Sequence, residues 1–305
     1  MLRRLGAATV ALAGACFAYG VLIERTAFQV RRFTVPVLPP GALPVKVLHI
    51  SDAHLLPRQG RKRDFMRGLA GLEPDLVVNT GDNVSSADAL APLVESLGRL
   101  REVPGVFVFG SNDHKAPRFK VPTRYLFGNS GSSGESGKKS GRRSTRLPTA
   151  ELQASLERLG WVYLEERSAE MTVRGTTFRF RGTSDAHDHL DDYAKVVGPA
   201  SGDAVEVGVT HAPYLRVLDA MTADGLDLIF AGHTHGGQVC VPGHGALTTN
   251  SDLPARHAKG LFTHTSGGHT ASVHVSAGFG MSPFAPYRFA CPPEVSLLTL
   301  VPRPE

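Results

Sequence analysis

Cysteine is scarce. Three thiols in 305 residues, Cys16, Cys240 and Cys291, cannot make a disulfide framework. Cys16 lies in the apolar N-terminus, and the other two read as free, buried thiols, with a mutual disulfide as the alternative. Cysteine usage therefore leaves the compartment open. Apolar residues make up 42% of the chain, slightly below the globular average, which excludes a polytopic membrane protein. A basic folded body is lacking as well. The net charge of +5 and the pI near 9.2 come from two peripheral stretches, residues 1–32 and 128–146. Each carries a surplus of about four positive charges, which leaves the remainder roughly three negative. That argues against a nucleic-acid-binding face. No internal repeat is visible, and the single tryptophan, Trp161, reads as packing.

What the chain does contain begins with an uncharged run, "LGAATVALAGACFAYGVLI" at 5–23, flanked by arginines. Its length predicts a transmembrane helix and attachment to the cell membrane. A cleaved signal peptide is the rival, with Ala13-Gly14-Ala15 as small residues for cleavage, but the run outlasts the usual signal core. A lipoprotein site at Cys16 and a twin-arginine signal at Arg3-Arg4 are weaker readings. Arginines at both ends leave the side of the membrane undecided. We therefore divide the chain into an anchor over 1–24, a proline-rich spacer over 25–44 and one domain over 45–302. The spacer holds "VPVLPPGALP", extended and unable to continue a helix.

Within the domain, strand and helix alternate. "VKVLHI", "DLVVNT" and "GVFVFG" read as strands separated by helices over 62–71 and 87–101, which implies parallel pairing with right-handed crossovers. Residues 128–146, "GNSGSSGESGKKSGRRSTR", offer almost nothing apolar to bury and predict a disordered insertion. A helix follows over 149–159, then a β-hairpin over 170–182, and strands at 205–211, 227–233, 272–278 and 295–300.

Polar residues recur just past the ends of these strands. The first runs into Asp52 and His54, the second into Asp82, and the third into Asn112 and Asp113. Later strands lead to His211, and to His233 and His235 in "AGHTHGGQ". One such residue could cap a turn. Five strand ends in succession point to a ligand site, because ligands of open α/β sheets bind at that edge. Carboxylates, imidazoles and an amide oxygen, with no thiolate, suit Mn, Fe, Co, Ni or Zn. Seven donors exceed the needs of one ion and suffice for two that share a carboxylate. The glycines around His233 and His235 would let backbone approach the site closely.

The ordered set "LHISDAHL", "NTGDNV", "VFGSND", "VTHAP" and "AGHTHGGQ" resembles the motif series of the calcineurin-like metallophosphoesterase superfamily, and within it the bacterial membrane-attached branch. The resemblance covers about residues 45–301. It implies a four-layer αββα fold, a central β-sandwich flanked by helices. It also implies a phosphodiesterase or phosphomonoesterase that uses two divalent ions (Mn, Fe or Zn) and a bridging hydroxide as nucleophile. Asp52, His54 and His235 would hold one ion, Asn112, His211 and His233 the other, and Asp82 would bridge them. The implied partner is a phosphoester, lipid-linked compounds being one class suggested by the anchor.

The third motif departs from the family pattern Gly-Asn-His-Asp. Here it reads Gly110-Ser111-Asn112-Asp113-His114, so Asp113 stands where the family places a histidine. Alignment on the first glycine would put Ser111 in the ligand position, which makes less chemical sense. Asp113 and His114 are the catalytic candidates for the replaced histidine, followed by His187, with Asp185 and His189 behind it. The departure also motivates a rival function, a catalytically weak metal-binding scaffold of the same fold. A nuclease using the basic insertion ranks third. Of the other histidines, His49 reads as core, and His244, His257, His264, His269 and His274 as surface or near the site. "FAPYRF" at 284–289 reads as packing, and Gln238, Asn250 and Ser251 read as approaching the site without ligand spacing.

Overall fold

The computed structural model describes residues 2–117 and 145–304, with backbone only for 2–8. The apolar N-terminal run forms one helix, α1 (Leu2–Leu22). Among the described residues no helix is long and apolar enough to cross a membrane, so the expected span is not supported. The far end of α1 packs on the body instead. Phe17 and Tyr19 lie against Tyr287 and Phe289. At Gly20 an added Cβ would meet the Arg288 carbonyl oxygen at 2.6 Å. Val10, Leu12, Leu22 and Ile23 stay exposed.

The spacer expected over 25–44 is largely a strand, β1 (Gln29–Leu38). Proline lacks an N–H for a sheet ladder, so the run from Val35 to Pro44 reads as a breaker. An edge strand tolerates proline, and β1 is an edge, pairing only with the last strand, with a register break between Pro36 and Leu38. The folded body thus begins upstream of residue 45. Next come β2 (Val45–Ile50), α2 (Gly60–Gly68), β3 (Leu76–Asn79), α3 (Leu90–Leu97), β4 (Gly105–Phe107) and the one-turn α4 (Ser111–His114). The insertion expected over 128–146 lies outside the described residues up to 144. Past it, Arg146 forms a bridge with Lys115. The chain continues as α5 (Thr149–Glu157), β5 (Trp161–Tyr163), and the hairpin β6 (Arg167–Val173) and β7 (Thr176–Gly182). After these come β8 (Val205–Val209), α6 (Leu215–Ala223), β9 (Leu228–Ala231), and the short β10 (Cys240–Val241) and β11 (Gly245–Ala246). A second hairpin, β12 (Gly260–Ser266) and β13 (His269–Val275), precedes β14 (Glu294–Pro302).

Two six-stranded sheets result, ordered β1-β14-β2-β3-β4-β5 and β12-β13-β9-β8-β7-β6. In each, the strands that carry the candidate ligands run parallel. Side chains alternate across each strand: Val45 and Val47 face the other sheet, while Leu48 and Ile50 face helices. Between the sheets, Val47, Val78 and Val106 share a core with Phe178, Val207 and Phe230. The outer face of the first sheet packs on Met66, Leu93 and Leu152 from α2, α3 and α5. That of the second packs on Leu218 and Met221 from α6. Both faces of the central strands are covered, which is why they read as continuous apolar runs. The layering is helix, sheet, sheet, helix.

His274 departs from its expectation. It is fully buried, and its Nδ1 lies 2.8 Å from Nδ1 of His49 in the inter-sheet layer. Burial keeps both rings neutral, His274 down to about 3 and His49 well below its usual range. His49 continues through Thr80 and Ser51 to the Asp52 carboxylate, a chain of hydrogen bonds with links of 2.9, 2.7 and 2.5 Å.

Candidate metal centre

Five parallel strands end at one place. β2, β3 and β4 from the first sheet lead to Asp52 with His54, to Asp82 and to Asn112; β8 and β9 from the second lead to His211, and to His233 with His235. The backbone at five of these residues is left-handed, with φ of 52° at Asp52, 41° at His54, 54° at Asp82, 68° at His233 and 50° at His235. Each such non-glycine residue costs about 1 kcal/mol or more and persists only where its surroundings impose it. The strain is concentrated on residues expected to ligate.

The structure brings the donors together. Asp82 is the hub: its Oδ2 stands 3.3 Å from His54 Nε2 and 3.7 Å from His211 Nε2. Asp52 Oδ1 lies 3.6 Å from His235 Nε2 and 4.0 Å from His54 Nε2. The two imidazoles stack, Nε2 to Nε2 at 3.2 Å. Donors held at about 2.1 Å from one cation stand roughly 3–3.5 Å from each other, and these spacings fall near that range. Two groups, Asp52–His54–His235 and Asp52–Asp82–His211, have the compactness a cation needs.

His233 and Asn112 sit at the margin of this cluster. The ring of His233 packs edge-on against His211 at 5.2 Å, with Nε2 engaged by Asn250 at 3.1 Å; Nδ1 is the nitrogen left for a cation. Asn112 donates from its backbone and its amide nitrogen to the two oxygens of Asp82, at 2.8 and 2.6 Å.

Hydrogen bonds aim the remaining donors inward. Ser51 Oγ and the His233 N–H both donate to Asp52 Oδ2, and Oδ1 is buried without a partner. His211 donates from Nδ1 to the Thr80 carbonyl at 2.7 Å, and its Nε2 is also buried and unpartnered. A carbonyl partner fixes the imidazole tautomer and frees the other nitrogen for a metal. Orphaned buried polar atoms are rare and costly. Asp52 and His211 each leave one such atom, and both belong to the compact group with Asp82, which fits a cation among them.

Electrostatics carries the same message. Burial raises Asp52 to about 6, partly offset by His211. Burial also acts on Asp82, but His211 and His54, with the Asn112 hydrogen bonds, hold it below the usual carboxylate range. His211 rises to about 9 because Asp82, Asp185 and Asp52 outweigh its burial. Burial lowers His54 to about 4 and keeps His233 and His235 well below their usual range. Buried carboxylates that hold a proton on an imidazole are short of positive charge, which a divalent cation would supply.

Glycine permits this packing at two positions above all. A Cβ on Gly232 would lie 1.9 Å from Ser51 Oγ and 2.6 Å from Asp52 Oδ2, and one on Gly110 would lie 2.2 Å from Asp82 Oδ1. The close approach anticipated from "AGHTHGGQ" is to the Asp52 carboxylate.

Of the two catalytic candidates, Asp113 lies directly behind the hub. Asp113 is fully buried, and its carboxylate accepts from the backbone N–H groups of Asp82, Asn83 and Gly110 and from the Asn83 side chain. Both oxygens are committed to the turn that carries Asp82. His114 lies edge-on to Phe109 with ring centroids 5.8 Å apart. His187 comes nearer the cluster, its ring 4.5 Å from that of His233 and its Nδ1 bonded to the Tyr214 hydroxyl at 2.9 Å. Asp185 is buried and receives the His187 N–H, while His189 is exposed.

Sequence reasoning missed Arg288. This guanidinium is fully buried and donates to the carbonyls of Ala277, Gly278, Gly280 and Cys291, bracing the loop behind His235. A charged residue inside "FAPYRF" was the available signal. Asn250, read from the sequence as near the site without ligand spacing, touches His233 Nε2.

Comparison with known proteins agrees with this geometry. The profile of the family described as calcineurin-like phosphoesterase matches residues 45–237. YkuE of Bacillus subtilis (strain 168), described as an uncharacterized metallophosphoesterase, is 24% identical over 305 residues, which covers 96% of this chain and 93% of YkuE. YpbG of the same organism, described only as uncharacterized, is 23% identical over 262 residues, 85% of this chain and 82% of YpbG. Among solved structures, phosphopantetheinyl hydrolase PptH from Mycobacterium tuberculosis superposes with a TM-score of 0.42 at 14% identity, covering 85% of this chain and 98% of that one.

Proposed function

The chain belongs to the calcineurin-like phosphoesterase family of metal-dependent phosphoric ester hydrolases, and from that premise we propose that it works with two divalent cations on phosphomonoesters or phosphodiesters. Asp52, His54 and His235 would hold one cation, Asn112, His211 and the Nδ1 of His233 the other, and Asp82 both. Turning the Asn112 amide over would present its oxygen in place of its nitrogen. The oxygen and nitrogen donor set, with no thiolate, suits Mn, Fe or Zn. Bound, such ions supply Lewis acidity toward phosphate oxygens and an activated water at neutral pH. The observation that carries the reading is the pair of orphaned donors, Asp52 Oδ1 and His211 Nε2, in residues that form one compact group with Asp82.

The protein's own part is to orient and to move a proton. Ser51 and the His233 backbone hold Asp52, and Thr80 holds His211. With Asp113 committed to backbone, His187 is the imidazole placed to donate a hydrogen bond to a leaving-group oxygen, oriented by Tyr214. His187→Asn should lower kcat on an alkyl phosphoester by about 10²-fold, the usual scale of general-acid assistance. Hydrolysis of a 4-nitrophenyl ester, whose leaving group needs no proton, should change little. Equal losses on both esters would remove His187 from this role.

Elemental analysis of the purified full chain and assays with bis(4-nitrophenyl) phosphate and 4-nitrophenyl phosphate, after loading with Mn, Fe or Zn, test the main reading. About two equivalents of metal and turnover of at least one ester are expected. Two bound metals without turnover of any phosphoester would favour the scaffold, a reading supported by the buried Asp113 in place of the third-motif histidine.

A further inference from the structure

A cavity of about 280 Å³ opens between the foot of α1 and the start of α2. Arg25, Arg58, Arg61 and Lys62 line it, with Phe28 and Met281 as apolar wall. Lys62 is 4% exposed, and its ammonium donates at 2.6 Å to the carbonyl of Ala53, the residue between Asp52 and His54. On the other wall, Met281 follows Gly280, where a Cβ would meet the same Ala53 oxygen at 2.1 Å. The cavity and the candidate ligands thus share one loop.

Its charge is uncompensated. Arginine and lysine are seldom buried without a partner: the buried Arg181 pairs with Glu206, and the buried Arg288 is held by four carbonyls. Among the described residues, no salt bridge reaches Arg25, Arg58, Arg61 or Lys62, and Arg25 Nε is buried with no hydrogen-bond partner. No side chain caps α2, whose first turn forms part of the lining, and uncapped N–H groups add positive potential there. Burial, then Arg288 and Arg25, push Lys62 down to about 7. A site that works to expel a proton from its own lysine is short of an anion.

We propose that this cavity binds a phosphate group of the substrate other than the one hydrolysed, so that the substrate class is phosphoesters bearing a second phosphate. The proposal rests on the hydrolase reading for its word substrate, but the site itself does not. Guanidinium groups suit phosphate because their N–H pairs match its oxygens. The apolar wall and the adjacent α1 allow that phosphate to belong to a soluble compound or to a lipid headgroup.

Arg58 and Arg61 are exposed, and the one hydrogen bond of the pair outside the helix ladder, Gly60 N–H to the Arg58 carbonyl, is backbone, so the double variant Arg58→Ala/Arg61→Ala should fold. Calorimetric titration of the full chain with inorganic pyrophosphate, and sedimentation with phosphatidylcholine vesicles with and without phosphatidic acid, are to be run on wild type, on this variant and on Asp82→Asn. Affinity for pyrophosphate, for phosphatidic acid vesicles or for both should fall at least about tenfold in the arginine variant, the scale of losing one or two charge-assisted hydrogen bonds. Asp82→Asn should keep that binding. Loss on pyrophosphate identifies a soluble source, and loss confined to vesicles a lipid one. Wild-type binding to both probes in the arginine variant, or no binding by wild type beyond what Asp82→Asn removes, overturns the site. A wild type that hydrolyses nothing yet shows the arginine-dependent binding would refute the hydrolase and leave the cavity standing.

Discussion

Asp82→Ala should lower phosphoester turnover by at least about three orders of magnitude and leave a protein that no longer retains a pair of cations. The expectation follows from position. Asp82 stands 3.3 Å from His54 and 3.7 Å from His211, and both of its oxygens are held by Asn112. Under the proposed two-cation reading, removing any other donor would leave each cation most of its set, whereas removing this one would take a ligand from both. A second readout separates lost cations from lost fold. A cation at about 100 times its dissociation constant stabilises a protein by about 2.7 kcal/mol. For a domain of this size that is about 5–10 °C in Tm. Chelation should therefore lower the wild-type Tm by about that much and leave Asp82→Ala unmoved. A variant that keeps its activity, or still answers the chelator in full, would show that Asp82 is not the shared ligand.

Why this site is legible in the sequence, while parts of the fold are not, comes down to range. Asp52, Asp82, Asn112, His211 and His233 each sit within a few residues of the strand that aims them, so local pattern locates them. Order along the chain does the rest. The strand Gln29–Leu38 escapes notice because Pro36 reads as a breaker, and only its edge position, visible once β14 is beside it, makes that proline harmless. His274 reads as one polar residue in a glycine-rich stretch, yet its partner His49 is 225 residues away. Arg288 is bound by carbonyls of a loop that has no periodicity. The helix Leu215–Ala223 is a different case, since Val217, Leu218 and Met221 carry helical spacing on their own. Attention to strand ends passes over it.

Asp113→Ala should cost about 3–5 kcal/mol of stability, more than any single substitution of a candidate ligand is expected to cost the metal-free fold. The carboxylate accepts the Asp82 N–H at 2.7 Å, the Asn83 N–H at 2.8 Å and the Gly110 N–H at 3.1 Å, and the Asn83 amide at 3.2 Å. Alanine leaves three backbone donors buried, each unmade bond costing about 1–3 kcal/mol, with some relieved by entering water. The turn they belong to needs left-handed backbone, with φ of 92° at Gly81 and 54° at Asp82. The expected fall in Tm is about 10 °C or more, read by calorimetry on chelated protein so that cations do not mask it. Asp113→Asn, which keeps one acceptor oxygen, should fall between. Activity decides whether Asp113 does more than position. If it only holds the turn, Asp113→Asn measured well below its Tm should retain most of its kcat on both nitrophenyl and alkyl esters. If it is the proton donor that replaces the family's histidine, that variant should lose turnover selectively on the alkyl ester while its Tm stays near wild type. Burial favours the first outcome, because a fully buried carboxylate that serves four donors of its own turn is not exposed to a substrate.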